Sequence, residues 1–454
     1  MQTVIVTISL VLVAACGERA IPAGADAEPA PRATWYQDVA PILATHCMAC
    51  HQEGGIAPFP LTTYDDTYIV ANQVVDAVEA GIMPPFSAED GDDCAPTHGW
   101  KEDPRLSADE RATLALWIED GRARGEPATI EVPAPPTLGG ITHSLTANPY
   151  VTSGYDDQFV CFLLDPETTV ETWLSGWSVR PGNPAVVHHA VLSSLPADLM
   201  PLARNAIGVG NDFPCSAGAG APGTSVIGAW APGGQPFDGG DAAIALEAGG
   251  GLVLQIHYHP GGGVAEPDAT TVDLRLTTTP PAAAFAVRSW GNAGAAPQLQ
   301  PGPYDPTEGP AFTIPPGVGD AVETMRFTVP DGEPELAVLS AFPHMHYVGV
   351  GLSMWVNRAS PAPGEPAREC LVNVDRWNFD WQRQYLVDAP LAELPRVRPG
   401  DEIELRCRYD NRISNPFVQR ALDEQGLSAP VTVELGESTI DEMCIGLLSV
   451  IEVP

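Results

Sequence analysis

The sequence predicts a multidomain protein, a small all-α unit followed by one or two antiparallel β-sandwiches, and three observations carry this. Residues 35–125 show helical periodicity and a helix start signal around one cysteine-rich motif. Residues 126–144, opening Glu-Pro-Ala-Thr-Ile-Glu-Val-Pro-Ala-Pro-Pro, have neither the helical nor the strand period and read as a Pro-rich linker. Everything beyond is short alternating segments punctuated by turn residues, in a chain with 44 glycines and 47 prolines. A length of 454 residues with 44% hydrophobic content is ample for several packed cores.

The first element is an apolar run over residues 3–15, too short to span a bilayer, ending in Val13-Ala14-Ala15-Cys16. That ending resembles a bacterial lipobox, with Cys16 as the residue lipidated after cleavage, although no Lys or Arg precedes Arg19. Residues 1–16 are therefore expected to be a lipoprotein-type signal peptide and 17–34, rich in Ala and Pro, a flexible tether. The expected location is outside the cytoplasm, as a periplasmic or cell-surface lipoprotein of a bacterium that meets the membrane only through this anchor. Lys and Arg number 22 against 58 Asp and Glu, a net charge of −36 that argues against nucleic acid or anionic lipid as a partner. Its plain meaning is solubility.

Next comes Cys47-Met48-Ala49-Cys50-His51, the C-x-x-C-H signature of covalent haem c attachment: two thioethers hold the porphyrin and the imidazole of His51 is an axial iron ligand. The alternatives are a structural disulfide or half of a zinc site. A second axial ligand is available in Met83, within Gly81-Ile82-Met83-Pro84-Pro85-Phe86; Met48 or an open sixth position are the other possibilities. Residues 68–80 read as one amphipathic helix. A second is opened by a capping box at Ser107 and Glu110, carries Leu114, Trp117 and Ile118 on one face, and stops at Gly121. Residues 35–125 thus resemble a small class I cytochrome c with His51 and Met83 as the axial pair, which implies an electron donor to the haem as a partner.

After the linker, strands are expected at residues 159–164, 171–180, 251–259, 336–356 and 401–409. The last is the cleanest, with Ile403, Leu405, Cys407 and Tyr409 alternating with Glu404, Arg406 and Arg408 after a Pro399-Gly400 turn. Nine cysteines sort into Cys16 for lipid, Cys47 and Cys50 for haem, and six others (Cys94, Cys161, Cys215, Cys370, Cys407, Cys444) for which an oxidising compartment predicts disulfides of open connectivity.

Six of the ten histidines fall in three close pairs, His188-His189, His257-x-His259 and His344-x-His346. On a strand, positions i and i+2 share a face, so the second and third pairs can each present two imidazoles to one metal. Adjacent His188 and His189 face opposite ways on a regular strand, so joint ligation needs a bulge or a strand end. For one pair, histidines bonded to backbone or facing water are as good a reading; three pairs beside a haem motif favour metal. Imidazole suits zinc or copper, and a thioether such as that of Met443 points to copper cycling through Cu(I), although Met443 also reads as an ordinary core methionine.

The order His188-His189, then Leu-Gln-Ile-His257-Tyr-His259, then Pro-His344-Met-His346, then Pro-Gly-Asp with Leu-Arg-Cys407-Arg-Tyr, then Asp-Glu-Met443-Cys444 is similar to the copper type II, ascorbate-dependent monooxygenases, the family of peptidylglycine α-hydroxylating monooxygenase and dopamine β-monooxygenase. The resemblance covers residues 145–454 and implies two jelly-roll-like copper domains, 145–282 and 283–454, facing each other across a solvent-filled cleft. It implies two copper ions: an electron-transfer copper on His188, His189 and His257, and a catalytic copper on His344, His346 and Met443 that meets O2 and substrate. It also implies that His259 is not a ligand and that Cys161 pairs with Cys215 and Cys407 with Cys444; it offers no counterpart for Cys94 and Cys370. The fused haem departs from the animal enzymes and puts ascorbate dependence in question.

The expected activity is hydroxylation of a C–H bond of a small organic substrate by O2, with electrons entering through the haem. A rival is an exported haem–copper electron carrier or copper-handling protein without turnover. A zinc hydrolase, the third reading, predicts an acidic general base near the metal and no use for a haem.

Overall fold

The computed structural model describes residues 32–134, 136–154, 157–215, 223–259, 267–292, 298–436, 438 and 440–453. The expected signal peptide, Cys16 and nearly all of the tether lie outside the described residues. No helix among the described residues is long and apolar enough to cross a membrane.

Three helices dominate the N-terminal quarter. Helix α1, Ala40–His46, starts with Pro41 in its first turn, where a missing N–H costs nothing, and ends as Cys47 begins. Helix α2, Tyr64–Glu79, begins four residues before the apolar periodicity predicts, because its polar first turn is set by the Thr63 hydroxyl accepting the Asp66 N–H. Helix α3, Ala108–Glu119, has the capping box of Ser107 and Glu110. Leu43, Met48, Val78, Leu114 and Trp117 from these helices and their connections form one buried cluster with Trp35. Each large side chain fully buried there stabilises the fold by about 1.5–3 kcal/mol. Met48, with 0% of its surface exposed, is part of this core.

The segment between α2 and α3 leaves that cluster. Ala88, Pro96 and Trp100 form isolated β-bridges with Val374, Cys370 and Val387, and Phe86, Ala88 and Trp100 belong to the core of the β-region. Cys94 and Cys370 are joined in a disulfide, and Arg376 pairs with Glu89 at 3.0 Å. The stretch expected as one all-α unit is therefore helical only on its two flanks. Its middle is a strap on the β-region, because its large apolar side chains find their burial there.

The β-region is built from β1 His143–Thr146, β2 Gln158–Leu164, β3 Thr172–Arg180, β4 Val187–Leu195, β5 Ser225–Trp230, β6 Ala242–Leu246, β7 Gly251–Tyr258, β8 Thr271–Thr277, β9 Ala283–Gly291, β10 Ala321–Thr328, β11 Glu335–His344, β12 Gly349–Asn357, β13 Arg368–Val374, β14 Glu402–Tyr409 and β15 Ile445–Val453, with helix α4, Pro416–Gln425, before the last. One long sheet runs in the order β1-β8-β3-β6-β9-β15-β11. A second, β2-β7-β4-β5, and a third, β10-β14-β12-β13, complete the layers. Leu174, Leu254, Leu336, Met354, Leu405 and Leu448, drawn from all three sheets, share one core.

The expected halves 145–282 and 283–454 meet where β6 and β9 run parallel, Ala242 opposite Ala283. One expectation needs correction. The single strand expected over residues 336–356 is two antiparallel-sheet strands, β11 and β12, in different sheets, broken by a turn at residues 345–348. Alternating apolar residues make a strand legible, but hydrophobic burial on both sides of the turn hides the break.

Strand β14 shows the predicted alternation, with Ile403, Leu405, Cys407 and Tyr409 all buried. Its other face is not open either, since Glu404 meets Arg326, Arg368 and Arg406. The disulfides Cys161–Cys215 and Cys407–Cys444 are the two pairs that the resemblance implies, and Cys94–Cys370 is the third.

Beside Cys407, Glu323 on β10 is buried with one carboxyl oxygen unpartnered; burial, then Asp305, pushes its carboxyl up to about 8. A proton retained in the folded state up to that pH but lost near 4.5 on unfolding makes stability fall as pH rises between those values, by at most about 1.4 kcal/mol per pH unit. Glu323→Gln is expected to match the wild type near pH 4.5 and gain on it steadily toward pH 8 in urea unfolding. A parallel pair of curves would refute this.

Candidate metal centre

Strand β4 pairs antiparallel with β7, His257 standing opposite His189 and Tyr258 opposite Val187, so the register skips His188. This is the bulge that joint use of two adjacent histidines requires, and it turns both rings toward His257. The Nδ1 atoms of His188 and His257 lie 3.4 Å and 3.3 Å from His189 Nδ1. Ligand-capable atoms of all three lie within 4.8 Å of one another. Burial, then His257, pushes His188 down to about 3, and burial holds His189 well below the usual imidazole range. Three rings crowding their nitrogens together in a buried place is what a metal ion of the imidazole-binding class resolves.

The outer contacts fix these rings. Phe159 stacks on His257 at 4.4 Å and 11°. His257 Nε2 lies 3.0 Å from Asp157 Oδ2, although neither atom completes a hydrogen bond there. Asp157 Oδ1 meets His259 Nδ1 at 2.6 Å, and Arg420 of α4 stands 3.5 Å from Oδ2. Burial alone would raise the Asp157 carboxyl; the two imidazoles overcome it and hold it far below the carboxylate range. His259 thus faces Asp157 rather than the centre and orients the carboxylate behind His257.

The second group sits at the end of β11 and in the turn after it. His344 Nδ1 meets Gln382 Oε1 at 2.7 Å and His346 Nδ1 meets the Asp441 carbonyl at 3.1 Å. Each acceptor fixes the proton on Nδ1 and leaves the Nε2 lone pair free. Both Nε2 atoms are buried without a hydrogen-bond partner, and the rings stand 5.2 Å apart at 85°. A buried imidazole nitrogen without a partner costs about 1–3 kcal/mol unless something accepts its lone pair, and a metal does.

Met443 is brought to this group by Glu442. One carboxylate oxygen of Glu442 accepts the His346 N–H at 2.9 Å and the Met443 N–H at 2.8 Å, and the other accepts the Gly349 N–H at 2.8 Å. The turn bearing His346 and the chain bearing Met443 therefore hang on one side chain. Tyr409 donates its hydroxyl to the Met443 carbonyl at 3.1 Å, and Cys444 is anchored to Cys407. Burial pushes Glu442 up to about 8, against the backbone N–H groups that hold it down.

The space between the two histidine groups is not the solvent-filled cleft that the resemblance implies. The ring of Phe379, 0% exposed, lies 6.2 Å from His257, 6.5 Å from His189 and 6.3 Å from His346. It packs with Tyr347 and Ala421, and Phe159 and Phe417 join the cluster. Apolar rings fill the gap because four sequence-distant segments each bring one there, Phe159, Tyr347, Phe379 and Phe417.

At the third candidate group, Cys47 and Cys50 are the free cysteines among the described residues, while the other six are all paired. His51 Nδ1 meets the Phe59 carbonyl at 3.1 Å, which leaves its Nε2 available for iron. Two unpaired thiols next to such an imidazole fit covalent haem attachment and do not fit the disulfide alternative. Met83 follows the last turn of α2, half-buried, with its N–H on the Ala77 carbonyl at 3.2 Å.

Asp157, Phe379, Gln382 and Glu442 are the site residues that sequence reasoning missed. Only Glu442 stood inside a recognised motif; the Trp377-Asn378-Phe379-Asp380-Trp381 run, dense in aromatics, was the signal for Phe379 and Gln382, and nothing nearby marked Asp157.

No family model matches the chain, and no curated protein matches it. Among solved structures, the major capsid protein P2 from bacteriophage PM2 is similar at 9% identity over 66% of this chain and 98% of that one, with a TM-score of 0.25. The infectious bursal disease virus VP2 subviral particle follows at 8% identity, 70% and 74% coverage, and a TM-score of 0.19, and likenesses this faint carry no argument about fold or function.

Proposed function

We propose that this chain is a copper-dependent monooxygenase that hydroxylates a C–H bond of a small organic substrate with O2, its electrons entering through a c-type haem. What supports this above all is the presence of two buried imidazole groups on either side of one aromatic ring, one with ligand-capable atoms of three rings within 4.8 Å of one another and one with two unpartnered Nε2 atoms. His188, His189 and His257 would hold one copper; His344, His346 and Met443 would hold the other; Cys47, Cys50 and His51 would hold haem, with Met83 as the sixth ligand. When bound, the coppers supply one-electron chemistry and O2 activation, and the haem supplies the electrons. The balance is R–H + O2 + 2 e⁻ + 2 H⁺ → R–OH + H2O.

The chain's own residues prepare this. Gln382 and the Asp441 carbonyl keep the protons of His344 and His346 on Nδ1, so both Nε2 lone pairs stay free for a metal. Glu442 fixes the distance between His346 and Met443. Asp157 stands behind His257 at 3.0 Å as a charge, where His344 has the amide of Gln382. Phe379 keeps water out from between the groups. The thioether of Met443 favours Cu(I), the state that binds O2.

The closure around Phe379 favours a second reading, an exported haem–copper electron carrier or copper-handling protein, because buried, close-set sites suit electron storage without substrate. Substrate-dependent oxygen uptake decides between them. Protein matured with haem and copper is expected to contain two coppers and one iron per chain, to keep its haem through acid-acetone, and to consume O2 in an aerobic metabolite screen. Full metal content with no uptake would leave the carrier reading; haem lost to acid-acetone would remove the covalent assignment.

A further inference from the structure

The segment from Trp377 to Gln384 reaches every candidate group. Trp377 Nε1 donates to the His346 carbonyl at 3.2 Å, Phe379 stands between the two histidine groups, Trp381 lies 5.4 Å from the His188 ring, and Gln382 holds His344. The next residue, Arg383, turns the other way, toward the helical segment.

Arg383 lines a crevice with Lys101, Glu102, Trp230, Gly233 and Tyr385. The Cys50 sulfur borders the same crevice: a Cβ on Gly233 would stand 3.9 Å from it. Burial lowers the Arg383 guanidinium from its ordinary range, and Cys50 is among the groups whose charge it feels. Yet Arg383 makes no ion pair with the described residues; its contacts are the Pro232 carbonyl at 3.5 Å and the face of Phe86 at 5.7 Å. The nearby acids are not available to it. Asp103 is taken by Arg105 at 2.5 Å, and the exposed Glu102 forms no ion pair with Arg383. A guanidinium drawn out of water without a carboxylate is costly, and its fork is shaped for one.

We propose that Arg383 is a haem-binding residue: with Lys101 on the same crevice, its guanidinium receives a propionate carboxylate of the haem attached at Cys47 and Cys50. The inference rests on the haem reading above and adds that the haem is shared between the helical segment and the β-region. The haem carboxylate and the copper ligand His344 then hang on adjacent residues, Arg383 and Gln382.

The test is potentiometric titration of the haem-loaded full chain, followed through the haem bands. A cation beside the haem disfavours the ferric form, so Arg383→Gln is expected to shift the ferric–ferrous equilibrium about tenfold toward ferric, about 59 mV for one electron. Arg383→Lys, which keeps the charge, is expected to recover most of that shift. Resonance Raman spectra of the wild-type protein add a readout that needs no variant: the propionate bending mode is expected at its hydrogen-bonded position. A Gln variant within twofold of wild type with haem still covalently held, or a wild-type propionate mode like that of a solvated carboxylate, would overturn the proposal. Failure of the underlying haem reading is separate, since no haem would then survive acid-acetone in the wild type.

Discussion

Alanine at both His188 and His189 is expected to leave a folded protein with one copper per chain in place of two. The double change removes two of three imidazoles from a group whose third member, His257, is then a single ligand backed by Asp157. One imidazole cannot hold a cupric or cuprous ion against buffer. The other group loses nothing, since Gln382, the Asp441 carbonyl and Glu442 fix His344, His346 and Met443 from outside β4 and β7. Elemental analysis gives the stoichiometry, and product formation by the same preparation should fall with electron delivery. Met443→His is expected to differ in kind: both coppers stay, because imidazole is a good copper ligand, but hydroxylation drops as Cu(II) is favoured over Cu(I). Loss of both coppers from the double variant, or undiminished hydroxylation in the Met443 variant, would show that the two groups do not divide the work in this way.

Phe379→Ala is expected to cost about 3–5 kcal/mol of unfolding free energy. The ring is 0% exposed, meets Tyr347 edge-on at 4.7 Å, and touches residues from both histidine groups, so no single neighbour can collapse into the space it leaves. Phe379→Leu, which keeps most of the volume, should cost under about 1.5 kcal/mol. Urea unfolding of the metal-free proteins separates packing from metal binding. A cost below about 1 kcal/mol for the alanine variant would mean that Phe379 is not the wedge between the groups. With metals bound, the alanine variant should also let water reach between the sites and so uncouple oxygen uptake from product formation.

What was legible in the sequence is what short range decides. The C-x-x-C-H motif, the capping box at Ser107 and Glu110, and the alternation around Ile403–Tyr409 each need fewer than ten residues to be read. The histidine pairs were visible for the same reason, but their convergence was not. His188 reaches His257 through a bulge whose register depends on β7, and His346 reaches Met443 through a turn pinned by a glutamate almost a hundred residues later. Helix α1 went unread because it is only about two turns long with its apolar residues bunched at Ile42 and Leu43. The partner acids and amides, Asp157, Glu442 and Gln382, look like any surface residue until the chain closes around them. The strap at residues 86–101 was assigned to the helical unit by proximity along the chain, whereas its apolar side chains are drawn to the larger core.

The disulfide between Cys94 and Cys370 closes a loop of 276 residues that contains the whole of the first β-half. In a chain-entropy account such a closure disfavours the unfolded ensemble by about 5 kcal/mol. Its larger consequence is kinetic. On the proposed function donor and acceptor share one polypeptide, and the tie from Cys94 to the strand at 368–374 narrows the range of distances between them, whatever the bulk concentration of protein. Internal reduction of a loaded chain should then be strictly first order, with a rate that does not change on hundredfold dilution.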